Sequence, residues 1–137
     1  MPTRCSPLLF AAFVMPVLAT AADAPAAPAT RAQTLLTEPL PPLSGKEVIM
    51  LTIEVPPGGA SAPHRHNANV YVYMLEGTLV MKTQDGPEKT LTAGQSFVEK
   101  PTDIHTVSRN PSSTERAKFL VFMIKDVGAP VTVPAGK

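Results

Sequence analysis

Frequent prolines and glycines limit this chain to short segments of regular structure. The sequence of 137 residues contains 16 prolines and eight glycines. Proline breaks the interior of a helix and glycine favours turns, and between them lie short β-branched and apolar runs without helical periodicity. The chain is therefore predicted to form short strands joined by turns rather than long helices.

Seven of these runs are predicted to be strands. They cover residues 48–55, 70–75, 78–83, 89–92, 96–99, 104–108 and 118–125. Short strands at this spacing are typical of an antiparallel sandwich or a small barrel. The predicted fold class is therefore all-β.

The first 21 residues have the order of a secretory signal peptide. Arg4 precedes an apolar stretch at residues 8–18, and Ala19, Thr20 and Ala21 supply the small residues that a signal peptidase accepts. The stretch is interrupted by Pro16 and is too short to span a bilayer as a helix. We therefore expect a periplasmic or secreted protein that has no membrane association after cleavage.

The only cysteine and the charge balance exclude several classes of function. Cys5 lies within the predicted signal, so the mature chain has no disulfide, thiol nucleophile or cysteine–histidine zinc site. Removal of residues 1–21 leaves 11 basic and 11 acidic residues, and this balance gives no basic field for nucleic acid. Any chemistry must then come from histidine, carboxylate, amide or hydroxyl groups.

The rest of the chain divides by composition into three parts. Residues 22–42 are rich in Ala, Pro and Thr and are interpreted as a tether with a loosely ordered arm, in which Leu35 and Leu36 could still add an edge strand. Residues 43–130 form the predicted barrel, and residues 131–137 form a tail.

The three histidines are the residues best suited to carry chemistry. His64 and His66 form an H-x-H pair, which on one strand puts both imidazoles on the same face, about 6–7 Å apart at the backbone. Alternation then directs Val70 inward and Tyr71 outward, unless a bulge interrupts residues 67–69. His105 follows about forty residues later, and three neutral imidazoles suit Zn, Cu, Fe or Ni. The alternative is two exposed histidines and one core histidine.

The sequence around these histidines resembles the two motifs of the cupin superfamily. Gly58, His64, His66 and Gly77 fit the first motif, G-x5-H-x-H-x3-E-x6-G. In the second motif, G-x5-P-x-G-x2-H-x3-N, the first glycine and the histidine keep their spacing as Gly94 and His105. The other positions depart from the motif: the proline comes one place late as Pro101, Thr102 stands at the second glycine position, and Arg109, followed by Asn110, stands at the asparagine position.

The resemblance implies an antiparallel double-sheet jelly-roll barrel with a metal site formed by His64, His66 and His105. It also identifies a departure, because the position of the family's glutamate ligand is occupied by Val70, which cannot bind a metal. Three-histidine cupins are known. A replacement ligand could come from Asn67, Asn69 or Glu99, and the opposite possibility is a domain that no longer binds metal.

The function implied by the resemblance is an exported cupin that binds a divalent metal ion (Fe, Zn, Ni or Mn) and a small-molecule ligand. Such a protein could be a dioxygenase or a Lewis-acid enzyme. The alternatives are a non-catalytic module that binds a small molecule or metal, and a degenerate barrel that serves association. Cupins often pair through edge strands, so a homodimer is expected. No general base or other catalytic residue is identified.

Overall fold

The computed structural model describes residues 29–136, which form ten strands. Their bounds are β1 Arg31–Pro39, β2 Lys46–Val55, β3 His64–Arg65, β4 Asn69–Glu76, β5 Thr78–Thr83, β6 Lys89–Thr92, β7 Ser96–Glu99, β8 His105–Arg109, β9 Ala117–Asp126 and β10 Val133–Pro134. No helix in this part of the chain is long and apolar enough to cross a membrane.

The strands form two five-stranded sheets. Sheet I has the order β1-β2-β9-β4-β7, and sheet II has the order β10-β3-β8-β5-β6. Every pairing is antiparallel. The predicted all-β double-sheet jelly roll is therefore confirmed.

Side-chain alternation puts the hydrophobic core between the two sheets. Along β4, Val70, Val72 and Met74 are buried, whereas Tyr71 and Tyr73 are exposed, as predicted. The same period of two runs along β9, where the buried residues come from alternate positions. The buried apolar side chains of both sheets form one cluster.

All seven predicted strands are present, each within two residues of the predicted bounds. The structure has three additional strands, of which β1 and β10 lie at sheet edges and β3 and β10 have two residues each. The sequence pattern does not predict them, because their sequences do not alternate between apolar and polar residues. Strand β1 lies in the segment interpreted as a tether, and it pairs along the length of β2 and includes Leu35 and Leu36. The predicted signal peptide, with Cys5, lies outside the described residues.

The turn between β4 and β5 carries the chain from sheet I to sheet II. Gly77 has a positive φ of 72°, and a Cβ atom at this position would collide with the backbone carbonyl oxygen of Arg116. Only glycine meets both requirements, because it lacks the Cβ atom and tolerates the left-handed region.

Asn110 joins the end of β2 to the loop between β8 and β9. Its buried amide nitrogen donates to the carbonyl oxygens of Val55 at 3.2 Å, Pro56 at 3.1 Å and Glu115 at 2.7 Å. Its side-chain oxygen accepts a hydrogen bond of 3.0 Å from the backbone N–H of Ser112. Asn110, which follows the asparagine position of the second motif, is thus buried and hydrogen-bonded, while Arg109 at that position is exposed and pairs with Glu88.

Candidate metal centre

His64 and His66 face the interior although they do not share a continuous strand. His64 belongs to β3 in sheet II, and the chain joins sheet I at Asn69, where β4 begins. The crossing passes through Asn67, which has a left-handed φ of 51°. This left-handed residue turns the chain between the two sheets, yet Val70 is buried and Tyr71 is exposed, as predicted. The irregularity lies in the segment where a bulge was considered.

His105 meets the pair from the neighbouring strand β8. It lies directly opposite His64 in the β3–β8 register, and the centroids of these two rings are 5.0 Å apart. The centroids of His64 and His66 are 4.8 Å apart. One ligand atom from each of the three histidines lies within 4.8 Å of the other two. The structure therefore brings together all three histidines of the sequence in an arrangement that could hold a metal ion.

Two backbone carbonyls fix the orientation of the H-x-H pair. The Nδ1 atom of His64 donates to the Ala62 carbonyl oxygen at 2.8 Å, and the Nδ1 atom of His66 donates to the Val131 carbonyl oxygen at 2.6 Å. In this tautomer each Nε2 atom keeps a free lone pair. Metal-binding histidines are typically held by a hydrogen bond from their other ring nitrogen in this way.

A buried carboxylate adjoins the histidines. Glu99, the last residue of β7, has an Oε2 atom 3.5 Å from His66 Nε2 and an Oε1 atom 3.3 Å from His105 Nδ1. Asn67 and Asn69, the other two replacement ligands considered from the sequence, have exposed side chains and do not line the cavity. Only the register between β4 and β7 reveals the position of Glu99, because its sequence spacing from the histidines follows no motif.

Burial favours the neutral forms of His66, His105 and Glu99. It lowers the pKa of His105 to about 4, with a further contribution from His64 and His66. It also lowers the pKa of His66, against the opposing effect of the Val131 carbonyl. Burial raises the pKa of Glu99 to about 7, and Asp103 adds to this effect. Neutral imidazoles are the form that binds metal.

Three buried polar atoms at this site have no hydrogen-bond partner among residues 29–136. They are Glu99 Oε2, His105 Nδ1 and His105 Nε2. Unpartnered buried polar atoms are rare in folded proteins and costly. A cation bound between the imidazoles and the carboxylate would give a partner to lone pairs of both Glu99 and His105. The residues of the site therefore fit a metal ion.

These side chains line part of a cavity that is otherwise mostly apolar. Its volume is about 150 Å³. Most of its lining residues are apolar, namely Leu51, Ile53, Val55, Val70, Val72, Met81, Phe119, Val121, Met123 and Val131. His64, His66, His105 and Glu99 form its cluster of titratable groups. A ligand inside therefore meets one polar cluster and an apolar wall.

Comparisons with known proteins match this architecture. Residues 51–123 match a family model described as the Cupin domain. A cupin domain from Bordetella pertussis Tohama I is 26% identical, with a TM-score of 0.52, over 72% of this chain and 95% of that chain. A search of curated protein sequences found no significant match.

Two further solved structures resemble this chain in fold. A conserved protein with a double-stranded β-helix domain from Klebsiella pneumoniae is 19% identical, with a TM-score of 0.61, over 82% of this chain and 90% of that chain. The polyketide cyclase RemF from Streptomyces resistomycificus is 20% identical, with a TM-score of 0.59, over 79% of this chain and 72% of that chain.

Proposed function

This chain belongs to the cupin family, and we propose that it is a metal-dependent enzyme acting on a small molecule held in the barrel. The observation that carries the proposal is the convergence of His64, His66 and His105 on the wall of a mostly apolar cavity. A divalent ion bound there would supply Lewis-acid polarisation or, if it is Fe(II), activation of O₂.

The cavity limits the class of substrate. A volume of about 150 Å³ is close to that of an engineered apolar cavity that binds benzene. The apolar wall favours a ligand with a hydrocarbon body, and the polar cluster favours an oxygen-bearing group at one end. We therefore propose a small substrate with an apolar body and a single oxygenated end.

The same cavity argues against a non-catalytic module that binds only a metal, and the alternative to an enzyme is then a non-catalytic module that binds a small molecule. A protein that only stores or buffers a metal needs ligands and has no use for an apolar chamber beside them. Here the three histidines share their cavity with ten apolar side chains. Steady turnover of an oxygenated small molecule by the metal-loaded protein would support the enzyme, and stoichiometric binding without turnover would support the module.

The test is metal analysis of the mature protein prepared without an affinity tag. We expect stoichiometric metal in the wild type and none in His66→Ala, because His66 is one of three converging ligands. Arg65→Ala is the matched control, since the Arg65 side chain is exposed beside the pair. Full stoichiometry and unchanged affinity in both His64→Ala and His66→Ala would overturn the proposed site.

We also propose that the protein is exported, on the basis of the signal-like order of residues 1–21. The intact mass of the secreted product should lack these residues. A full-length cytoplasmic species as the sole product would contradict export.

Finally, we propose that two copies of the chain associate through the outer face of sheet I. An apolar row crosses all five strands of this face in direct register. It consists of Val98, Tyr71, Phe122, Met50 and Leu36. Three of these side chains, Val98, Tyr71 and Leu36, are more than 40% exposed. Contiguous exposed apolar surface of this kind marks interaction sites.

A further inference from the structure

We propose that Glu99 supplies the carboxylate ligand of the metal. It lies on β7, next to β4, and replaces the glutamate that the family motif has at position 70. The inference rests on the proposed metal-binding function and adds a fourth ligand to the three histidines. It identifies a compensation within this chain, in which the ligand lost at Val70 of β4 is replaced from β7.

The strand register carries the first step of the argument. Val70 and Glu99 are direct partners in the antiparallel pairing of β4 with β7. Directly opposed residues point to the same face of a sheet, with Cβ atoms about 4.5–5.5 Å apart. Val70 and Glu99 are both buried and line the same cavity. A carboxylate on β7 therefore enters the cavity beside the point where one on β4 would enter.

The reach of the Glu99 side chain carries the second step. Its two oxygens lie 3.5 Å from His66 Nε2 and 3.3 Å from His105 Nδ1, so the carboxylate contacts two of the three histidines. The ring nitrogen of His66 that faces Glu99 is the one left free by the hydrogen bond to Val131. The carboxylate thus lies beside the His66 nitrogen that is available to bind a metal.

The isolation of the carboxylate carries the third step. Glu99 is 2% exposed. No lysine or arginine pairs with it among the described residues, and its Oε2 atom has no hydrogen-bond partner there. An ionised carboxylate buried without a cationic partner is strongly disfavoured, so Glu99 either holds a proton or coordinates a cation. The surface glutamates of sheet I, by contrast, pair with arginine or lysine, as Glu54 and Glu76 do with Arg116.

The role of Val70 follows from this arrangement. With Glu99 present, a second carboxylate at position 70 would bring two like charges into one buried site, which raises the cost of ionising both. The valine instead extends the apolar wall beside the metal site. The pair Val70 and Glu99 therefore acts as a unit in which one position is apolar and the other is acidic.

The experiment exchanges the two residues and measures metal binding directly. Tag-free wild type, Glu99→Gln, Glu99→Val and the double variant Val70→Glu with Glu99→Val are titrated calorimetrically with Zn²⁺ and Co²⁺. The absorption spectrum of the Co²⁺-loaded protein reports the ligand set. Glu115→Gln is the matched control, because Glu115 is exposed and does not line the cavity. Thermal unfolding of each metal-free variant verifies that it is folded.

We expect Glu99→Gln and Glu99→Val to weaken binding by at least about 10- to 100-fold, the loss typical of a group that supports a metal site. Both should change the Co²⁺ spectrum, whereas Glu115→Gln should match the wild type. The exchanged double variant should recover most of the affinity lost in Glu99→Val. Glu99→Gln is nearly isosteric and keeps the test valid if the valine variants do not fold.

Two results would overturn the assignment while leaving the three-histidine site intact. One is unchanged affinity in Glu99→Gln when His66→Ala abolishes binding. The other is weakened affinity with an unchanged Co²⁺ spectrum, which would make Glu99 a positioning residue for the histidines. A wild type that binds neither metal would overturn the metal site itself and this inference with it.

Discussion

At the residue scale, burial determines the charge state of the candidate site. The same removal from water lowers the pKa of His66 and His105 and raises that of Glu99. All three shifts favour the neutral form, so the metal-free site avoids buried charge. A bound cation would reverse the preference of the carboxylate, because its charge stabilises the ionised form.

This charge state predicts how the stability of the metal-free protein depends on pH. The pKa of Glu99 rises from 4.5 to about 7 on folding. Between these values the folded state keeps a proton that the unfolded state has lost, so this group's contribution to stability is lost as pH rises through 7. The free energy of unfolding of the wild type, relative to Glu99→Gln, should therefore fall between pH 4.5 and 7.5.

Chemical denaturation in the presence of a chelator measures this difference. The histidine shifts have the opposite sign, but they are present in both proteins and largely cancel in the comparison. Glu115→Gln controls for the removal of one acidic group at an exposed position. A difference between the wild type and Glu99→Gln that stays constant or grows with pH would contradict the prediction.

The sequence identifies the histidines of the site but does not single out its carboxylate. The H-x-H spacing and the sequence separation of Gly94 and His105 are local patterns that can be recognised from the sequence alone. Glu99 reaches the site through the pairing of β7 with β4, which depends on the turn geometry of the intervening residues. From the sequence it is therefore one of three candidates, and only the fold separates it from Asn67 and Asn69.

At the element scale, turn residues and alternation predict the strands but not every sheet assignment. The boundaries of β4 and β5 follow from the apolar alternation and from the turn signal of Gly77. The structure adds the reason for a glycine at this position, which is the close approach of the Arg116 backbone. The sequence marks residues 67–69 as a place where the strand could be interrupted, but it does not show that the chain changes sheets there, because Asn67 adopts a left-handed conformation that few sequence patterns require. His64 and Val70 consequently lie in different sheets and still face one cavity.

The loops at the end of the barrel depend on one buried side chain. Asn110 forms hydrogen bonds with three carbonyl oxygens and one backbone N–H, which belong to the end of β2 and to the loop between β8 and β9. Asn110→Ala should lower the free energy of unfolding by about 3 kcal/mol, because it leaves several buried groups unpaired. Urea denaturation measures this change.

Asn69→Ala is the control for this substitution. The Asn69 side chain is exposed, so its removal should change stability by no more than about 0.5 kcal/mol. The control also tests the site, since Asn69→Ala should leave metal affinity unchanged. A loss of less than about 1 kcal/mol in Asn110→Ala, where full desolvation costs are expected, would show that water replaces the amide.

At the scale of the whole molecule, the two faces of sheet I differ in their side chains. The inner face supplies the cavity wall, whereas the outer face carries the apolar row centred on Tyr71 and Phe122, whose rings lie 6.1 Å apart. A row of charges crosses the same sheet near the end of β4. It consists of Glu76, Lys118, Glu54 and Arg31. An apolar centre with a charged border has the anatomy of a protein–protein interface.

This anatomy predicts a dimer that a single substitution can dissociate. In a two-fold symmetric interface each residue occurs twice, so Tyr71→Arg would introduce two cations at the centre of the apolar row. We expect the wild type to sediment as a dimer at micromolar concentration and Tyr71→Arg to sediment as a folded monomer. Thr90→Arg is the control, because Thr90 is exposed on β6 of sheet II and its variant should remain dimeric.

The monomeric variant should still bind metal, since His64, His66, His105 and Glu99 all come from one chain and lie within its own barrel. Loss of the dimer with retained metal affinity would therefore separate association from the chemistry of the site. A wild type that sediments as a monomer, or a Tyr71→Arg variant that remains dimeric, would show that the outer face of sheet I does not join two copies. The exposed Val98 and Leu36 on either side of Tyr71 and Phe122 would then have to meet a different partner.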